Sequence, residues 1–261
     1  MRQDSATRAR RATRLAAAMS TMVLALAACG NAPRTPGWRI EARDALERAT
    51  QAYLSGRDSA AAADHARARL ALSASAQPEL IAKAELLRCA AQVASLEGLQ
   101  RRSGTGVLTD TGCPGFEPWR ADASPALRAY ADWLSGAVPA QDGVERQQAL
   151  SLLPAEQRAA AQAGGDAARR EAAIRAIPDP LSRLLAASVA LREGIGPPGL
   201  VELAIQTASD QGWRRPLLAW LTFQLRRAQQ AGDAHAEAAL QRRIQLLTVP
   251  NPAPAPSAAP R

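Results

Sequence analysis

The stretch PELIAKAELLRCAAQVASLEG, residues 78–98, decides the fold. Pro78 sits at a first helical position, where its missing N–H does no harm. Behind it Leu80, Ala84, Leu87, Ala91 and Ala94 recur at steps of four, three, four and three, which predicts one buried helical stripe. The same composition runs through the whole chain: hydrophobic residues make up 47%, aromatics only 3%, and alanine and leucine far outnumber valine and isoleucine. Alanine has the best helix propensity and β-branched residues favour strands, so the class is all-α. With 261 residues the chain is long enough to bury a sizeable core.

Outward from that segment, proline and glycine mark further helices. Upstream, a helix is predicted over Trp38–Leu54, with Ala42, Leu46, Ala49 and Tyr53 on one face. Gly56 and Arg57 break it, and Asp58 is the N-cap candidate for a second helix to Ser75. Downstream, residues 100–123 lose all period and read as a long ordered loop. Helices follow near 124–136, 141–153, 154–163, 166–177, 180–193, 198–211, 214–231 and 233–247, with Gly164-Gly165-Asp166 read as a helix stop and a new N-cap. Helices of this length on short turns predict antiparallel hairpins stacked side by side across a domain of residues 38–247.

Ala61 and Ala68 fall five and twelve residues after the turn residue Gly56, and the Gly232-Asp233 turn has a similar look. This resembles, in part, the tetratricopeptide repeat (TPR). The resemblance implies a TPR-like solenoid or right-handed superhelix with a groove for a helix or extended peptide.

The formal charge of +8 has to be divided before it is interpreted. Residues 1–28 carry five arginines against Asp4, a net +4, which leaves +4 on the rest. The six Arg-Arg pairs are scattered and lack interleaved aromatics or glycine loops, so no nucleic-acid partner is expected. Within residues 1–28, an arginine-rich opening precedes the apolar run LAAAMSTMVLALAA, residues 15–28. Fourteen residues are too few to span a bilayer, which takes about twenty, and the pattern is that of a secretory signal.

Leu26-Ala27-Ala28-Cys29 resembles the lipobox of bacterial lipoproteins. The resemblance implies cleavage between Ala28 and Cys29 and a diacylglycerol thioether on the Cys29 thiol. With Gly30 where an aspartate would retain the protein at the inner membrane, it also implies delivery to the periplasmic face of the outer membrane. Acyl chains at roughly 0.8 kcal/mol per buried methylene would hold it there. Residues 29–37 form the lipidated cysteine and tether, and Asn31–Gly37 reaches only about 23 Å when extended. Residues 248–261, TVPNPAPAPSAAPR, read as a disordered proline and alanine tail.

With Cys29 lipidated, two cysteines remain. Cys89 is in the third helix and Cys113 in the loop, so they form either a disulfide that pins the loop or a buried thiol beside an exposed one. His65 and His235 stand in alanine-rich helices without metal-ligand spacing, and are read as surface histidines. No metal, cofactor or catalytic residue is expected. In GWRRPLLAWLTFQLRRAQQAGD, residues 212–233, Leu217, Leu221, Leu225 and Ala228 make a buried stripe. Trp213, Trp220, Phe223 and Arg227 are then either core of a middle helix or a partner-binding patch. The leading expectation is a lipid-anchored scaffold that binds another envelope protein in an assembly, pilotin-like or synthase-accessory role. The alternatives are a periplasmic enzyme or ligand-binding protein acting on cell-wall material, and a purely structural lipoprotein.

Overall fold

A computed structural model describes residues 35–97, 100–101, 108–109, 112–137, 143–194, 196 and 198–248. The signal segment, Ala28, Cys29, Gly30, most of the tether and residues 249–261 lie outside the described residues.

Among the described residues there are eleven α-helices. They are α1 (Gly37–Leu54), α2 (Asp58–Ser73), α3 (Pro78–Ala94), α4 (Pro125–Ser135), α5 (Val144–Ser151) and α6 (Ala155–Gln162). After these come α7 (Ala167–Arg175), α8 (Pro180–Arg192), α9 (Pro198–Asp210), α10 (Arg214–Ala231) and α11 (Ala234–Thr248). Punctuation accounts for their limits. Pro78, Pro125 and Pro180 open helices at their first turns. Asp166 caps α7 by accepting from Arg169 N at 2.9 Å, after Gly164 takes φ +59° to end the preceding turn. Asp58 is the first residue of α2 rather than its cap.

The chain divides into residues 1–40 and 41–261. Of the first unit, residues 35–40 are described; Arg39 N–H donates to Pro36 O at 3.0 Å and the Arg39 guanidinium lies 5.1 Å over the Trp38 ring.

In the second unit the core centres on α3 and α8, which pack on each other although about a hundred residues of chain separate them. Helix α3 also meets α2, α4 and the short 3-10 turn Glu117–Trp119. Because neighbours cover it on several sides, its buried surface is wider than the expected stripe. Ala84, Ala91 and Ala94 are buried as expected, but Leu80 and Leu87 are only half-buried. Ile81, Leu86, Cys89 and Val93 take the deeper positions, and Glu85 is buried with them. Each such aliphatic side chain contributes on the order of 2 kcal/mol. In α1 the inward face is likewise rotated, to Ala42, Ala45, Ala49 and Ala52, leaving Leu46 and Tyr53 half-buried.

Helices α8, α9, α10 and α11 follow one another as packed neighbours, and α6, α7 and α8 pack together. Two links join helices far apart in the chain. One is α3 against α8; the other joins α10 back to the first three helices, through Trp220 Nε1–H donating to Ala94 O at 3.2 Å and Trp213 Nε1–H donating to Gln51 Oε1 at 3.3 Å. A stack in which each hairpin meets only its chain neighbours does not account for these links.

The aperiodic segment contains a small antiparallel ribbon, β1 (Gln100–Arg101) with β2 (Leu108–Thr109), in register Gln100↔Thr109. Cys89 and Cys113 are joined by a disulfide, with their Cα atoms 5.5 Å apart. That bond seats Phe116, which is fully buried, against α3.

Candidate functional site

The four residues of the 212–233 segment do not assemble as a surface. Trp220 is 0% exposed and lies under the end of α3, its indole N–H already donating to Ala94 O. Trp213 is buried with its indole N–H on Gln51. Phe223 is half-buried, edge-on to Trp220 at 6.4 Å, and only Arg227 is exposed. Two neighbours pack on this helix, α9 and α11, so Trp213 and Trp220 are core rather than patch, and Phe223 packs half-buried against that core.

A concave feature lies instead among α1, α2 and α3, a groove of about 610 Å³. Its floor and walls carry Leu46 and Ala49 from α1, Ala62 and Ala66 from α2, and Leu87 and Ala91 from α3. Leu46 and Leu87 are the very positions whose sequence period predicted full burial; they are half-buried because they face this groove. The α1 and α2 walls are tied by Arg48 Nε donating to Asp64 Oδ1 at 3.2 Å.

Behind the lining residues His65, Arg69 and Arg88, at one end of the groove, Glu85 is buried, its side chain 1% exposed. Its Oε1 lies 3.1 Å from His65 Nε2 and accepts from Arg69 Nη1 at 3.0 Å; Oε2 lies 3.9 Å from Arg88 Nη1. Among the described residues Oε2 accepts no hydrogen bond. Burial pushes this carboxyl up, but the bond and charge of His65 and the charges of Arg69 and Arg88 outweigh it and hold it below the usual carboxylate range. Behind it, a Cβ placed on Gly115 would stand 2.5 Å from Oε2, so the disulfide-held loop closes on the carboxylate only because residue 115 has no side chain. Arg69 also lies 5.9 Å from the centre of the Trp119 ring.

At the other end, Arg215 of α10 donates from Nε to Tyr53 O at 2.8 Å and from Nη1 to Glu97 Oε1 at 2.8 Å, while Nη2 is bonded to Asp58. Its guanidinium stacks 4.4 Å over the Tyr53 ring. Burial, with Glu97 alongside, raises the Tyr53 phenol far above its ordinary value, so it is a neutral group here.

Sequence reading placed His65 on a helix surface, whereas its side chain is largely buried against Glu85. The partner is twenty residues away on another helix, and no spacing rule connects the two. His235 is exposed, as read. Among the described residues no group of three or more His, Cys, Asp or Glu is gathered closely enough to hold a metal ion, and no helix is long and apolar enough to cross a membrane. Comparison with protein-family models, curated proteins and solved structures gives no match for this chain.

Proposed function

We propose that this chain is a lipid-anchored helical scaffold, held at the periplasmic face of the outer membrane through Cys29, that receives a segment of another envelope protein in the α1–α3 groove. The anchor rests on the lipobox resemblance of Leu26–Cys29. The docking role rests on one observation: an apolar groove of about 610 Å³ with half-exposed arginines on its rim. Such a surface combines apolar contact area with charged orienting groups, the composition of a recognition site. The helices flanking the groove and the run α8–α11 are read as TPR-like hairpins, joined through the links from α3 and α10. Anchoring raises the local concentration of the scaffold around any partner in the same membrane.

A photo-crosslinking residue at Ala66, which is exposed in the groove, tests this in the native envelope. A single protein adduct is expected from Ala66 and none from Leu246, which is 78% exposed on α11. Lipid adducts alone, or the same adducts from both positions, would overturn the docking role. For the anchor, Cys29→Ser should move the chain from the membrane to the soluble fraction.

A further inference from the structure

The groove has a charge order along α2. At the start of the helix Asp58 and Glu97 share the one guanidinium of Arg215, leaving a net charge of −1. Toward its end Glu85 alone stands against Arg69 and Arg88, a net +1. Arg69 and Arg88 are 46% and 55% exposed, and each lines the groove while using a single Nη on Glu85. Asp58 and Arg69 are eleven residues apart on one helix, three turns, which separates the two charge centres by about 16 Å along one face.

The walls also restrict the shape of an occupant. All three are helices whose backbone groups are bonded within themselves, so they offer nothing to the main chain of an extended peptide. What they offer is side-chain ridges at helical spacing: Leu46, Ala49 and Tyr53 on one wall, Ala84, Leu87 and Ala91 on the other. Ridges of this kind accept the ridges of a further helix, and the alanines let its axis come close.

We infer that the groove takes one amphipathic helix of the partner protein, laid antiparallel to α2. A carboxylate in its first turn meets Arg69 and Arg88, and a lysine or arginine about three turns later meets Asp58 and Glu97. This deepens the docking role proposed above and rests on it. The acid-first order is also the one that a helix's own dipole favours, and it leaves the dipoles of α2 and its occupant opposed.

The test uses two synthetic sixteen-residue peptides of identical composition, each stapled on its outward face so that both are equally helical. One carries aspartate in the first turn and lysine eleven residues later over a leucine and alanine face; the other has the two charges exchanged. Binding to the full chain is read by fluorescence anisotropy. The acid-first peptide is expected to bind about tenfold more tightly at low salt, with the gap closing at high salt and shrinking in Asp58→Asn/Glu97→Gln. Equal affinities, or a preference for the base-first peptide, would overturn the charge order and leave the docking role standing. If neither peptide binds, both are overturned.

Discussion

Glu85 lies on the inward side of α3, and His65, Arg69 and Arg88 reach it from two helices. Its carboxyl is held below its ordinary value, so the folded state binds this proton less readily than the unfolded chain does. The stabilisation is therefore complete above the unfolded pKa and drains away as pH falls below about 4.5 toward the folded value. Glu85→Gln should lower stability by about 1–2 kcal/mol at neutral pH, because it removes the charge-assisted bonds of a buried carboxylate while the two half-exposed arginines left behind turn to water. Thermal unfolding of both proteins across acid pH should show that difference narrowing as the pH drops. The neighbouring glycine makes a second prediction. Gly115→Ala puts a methyl on the Glu85 carboxylate and should cost about 2 kcal/mol by denaturant titration. Gly165→Ala, where a Cβ meets nothing within 4 Å, should stay within about 0.5 kcal/mol of the parent. Neither Glu85 nor Gly115 is marked in the sequence. A glutamate between apolar positions on an α-helix ordinarily faces water, and its inward turn becomes visible only once the loop and α2 are both in place.

At the scale of elements, the chain announces much more of itself. Pro78, Pro125, Pro180 and the Asp166 cap each act on the backbone within one turn, so the helices they open are legible from neighbouring residues alone. The buried faces of α1 and α3 were less legible, because period reveals an apolar stripe but not how many neighbours will cover the rest of the helix. Leu87 shows the difference: its period is that of a core residue, and its place is the wall of a groove. The 100–123 segment has no period of its own, and the disulfide to Cys89 supplies the constraint that apolar packing supplies elsewhere. Cys89→Ala/Cys113→Ala should lower stability by about 3 kcal/mol, read from the urea midpoint, through freedom restored to the unfolded chain. The same variant should raise amide exchange in residues 113–119 more than in α8, since Phe116 loses its tether to α3.

For the molecule as a whole, the decisive residue is Trp220. It fills the space beneath the end of α3 and hydrogen-bonds to Ala94, so the C-terminal helices and the groove-forming helices share one core. Trp220→Ala should cost about 3–5 kcal/mol. Its unfolding should remain a single transition, with amide protection falling in α3 as well as in α10 on hydrogen exchange. An array of independent repeats would instead lose protection locally, around α10 alone. The links from α3 to α8 and α10 also determine how the chain must acquire its structure. Indole N–H groups meet partners 126 and 162 positions earlier, so the protein combines a helical composition with contacts of high sequence separation. Local helix formation is rapid, but closing such long loops has an entropic cost that nothing repays until the far segment arrives. A chain emerging from its N-terminus therefore carries α3 with one apolar side uncovered through four further helices, until α8 appears, and with its end uncovered through six, until α10 brings Trp220. The groove takes its final form late, when α10 delivers Arg215 to Asp58 and Glu97, so its rim is complete only once nearly all of the helices are in place.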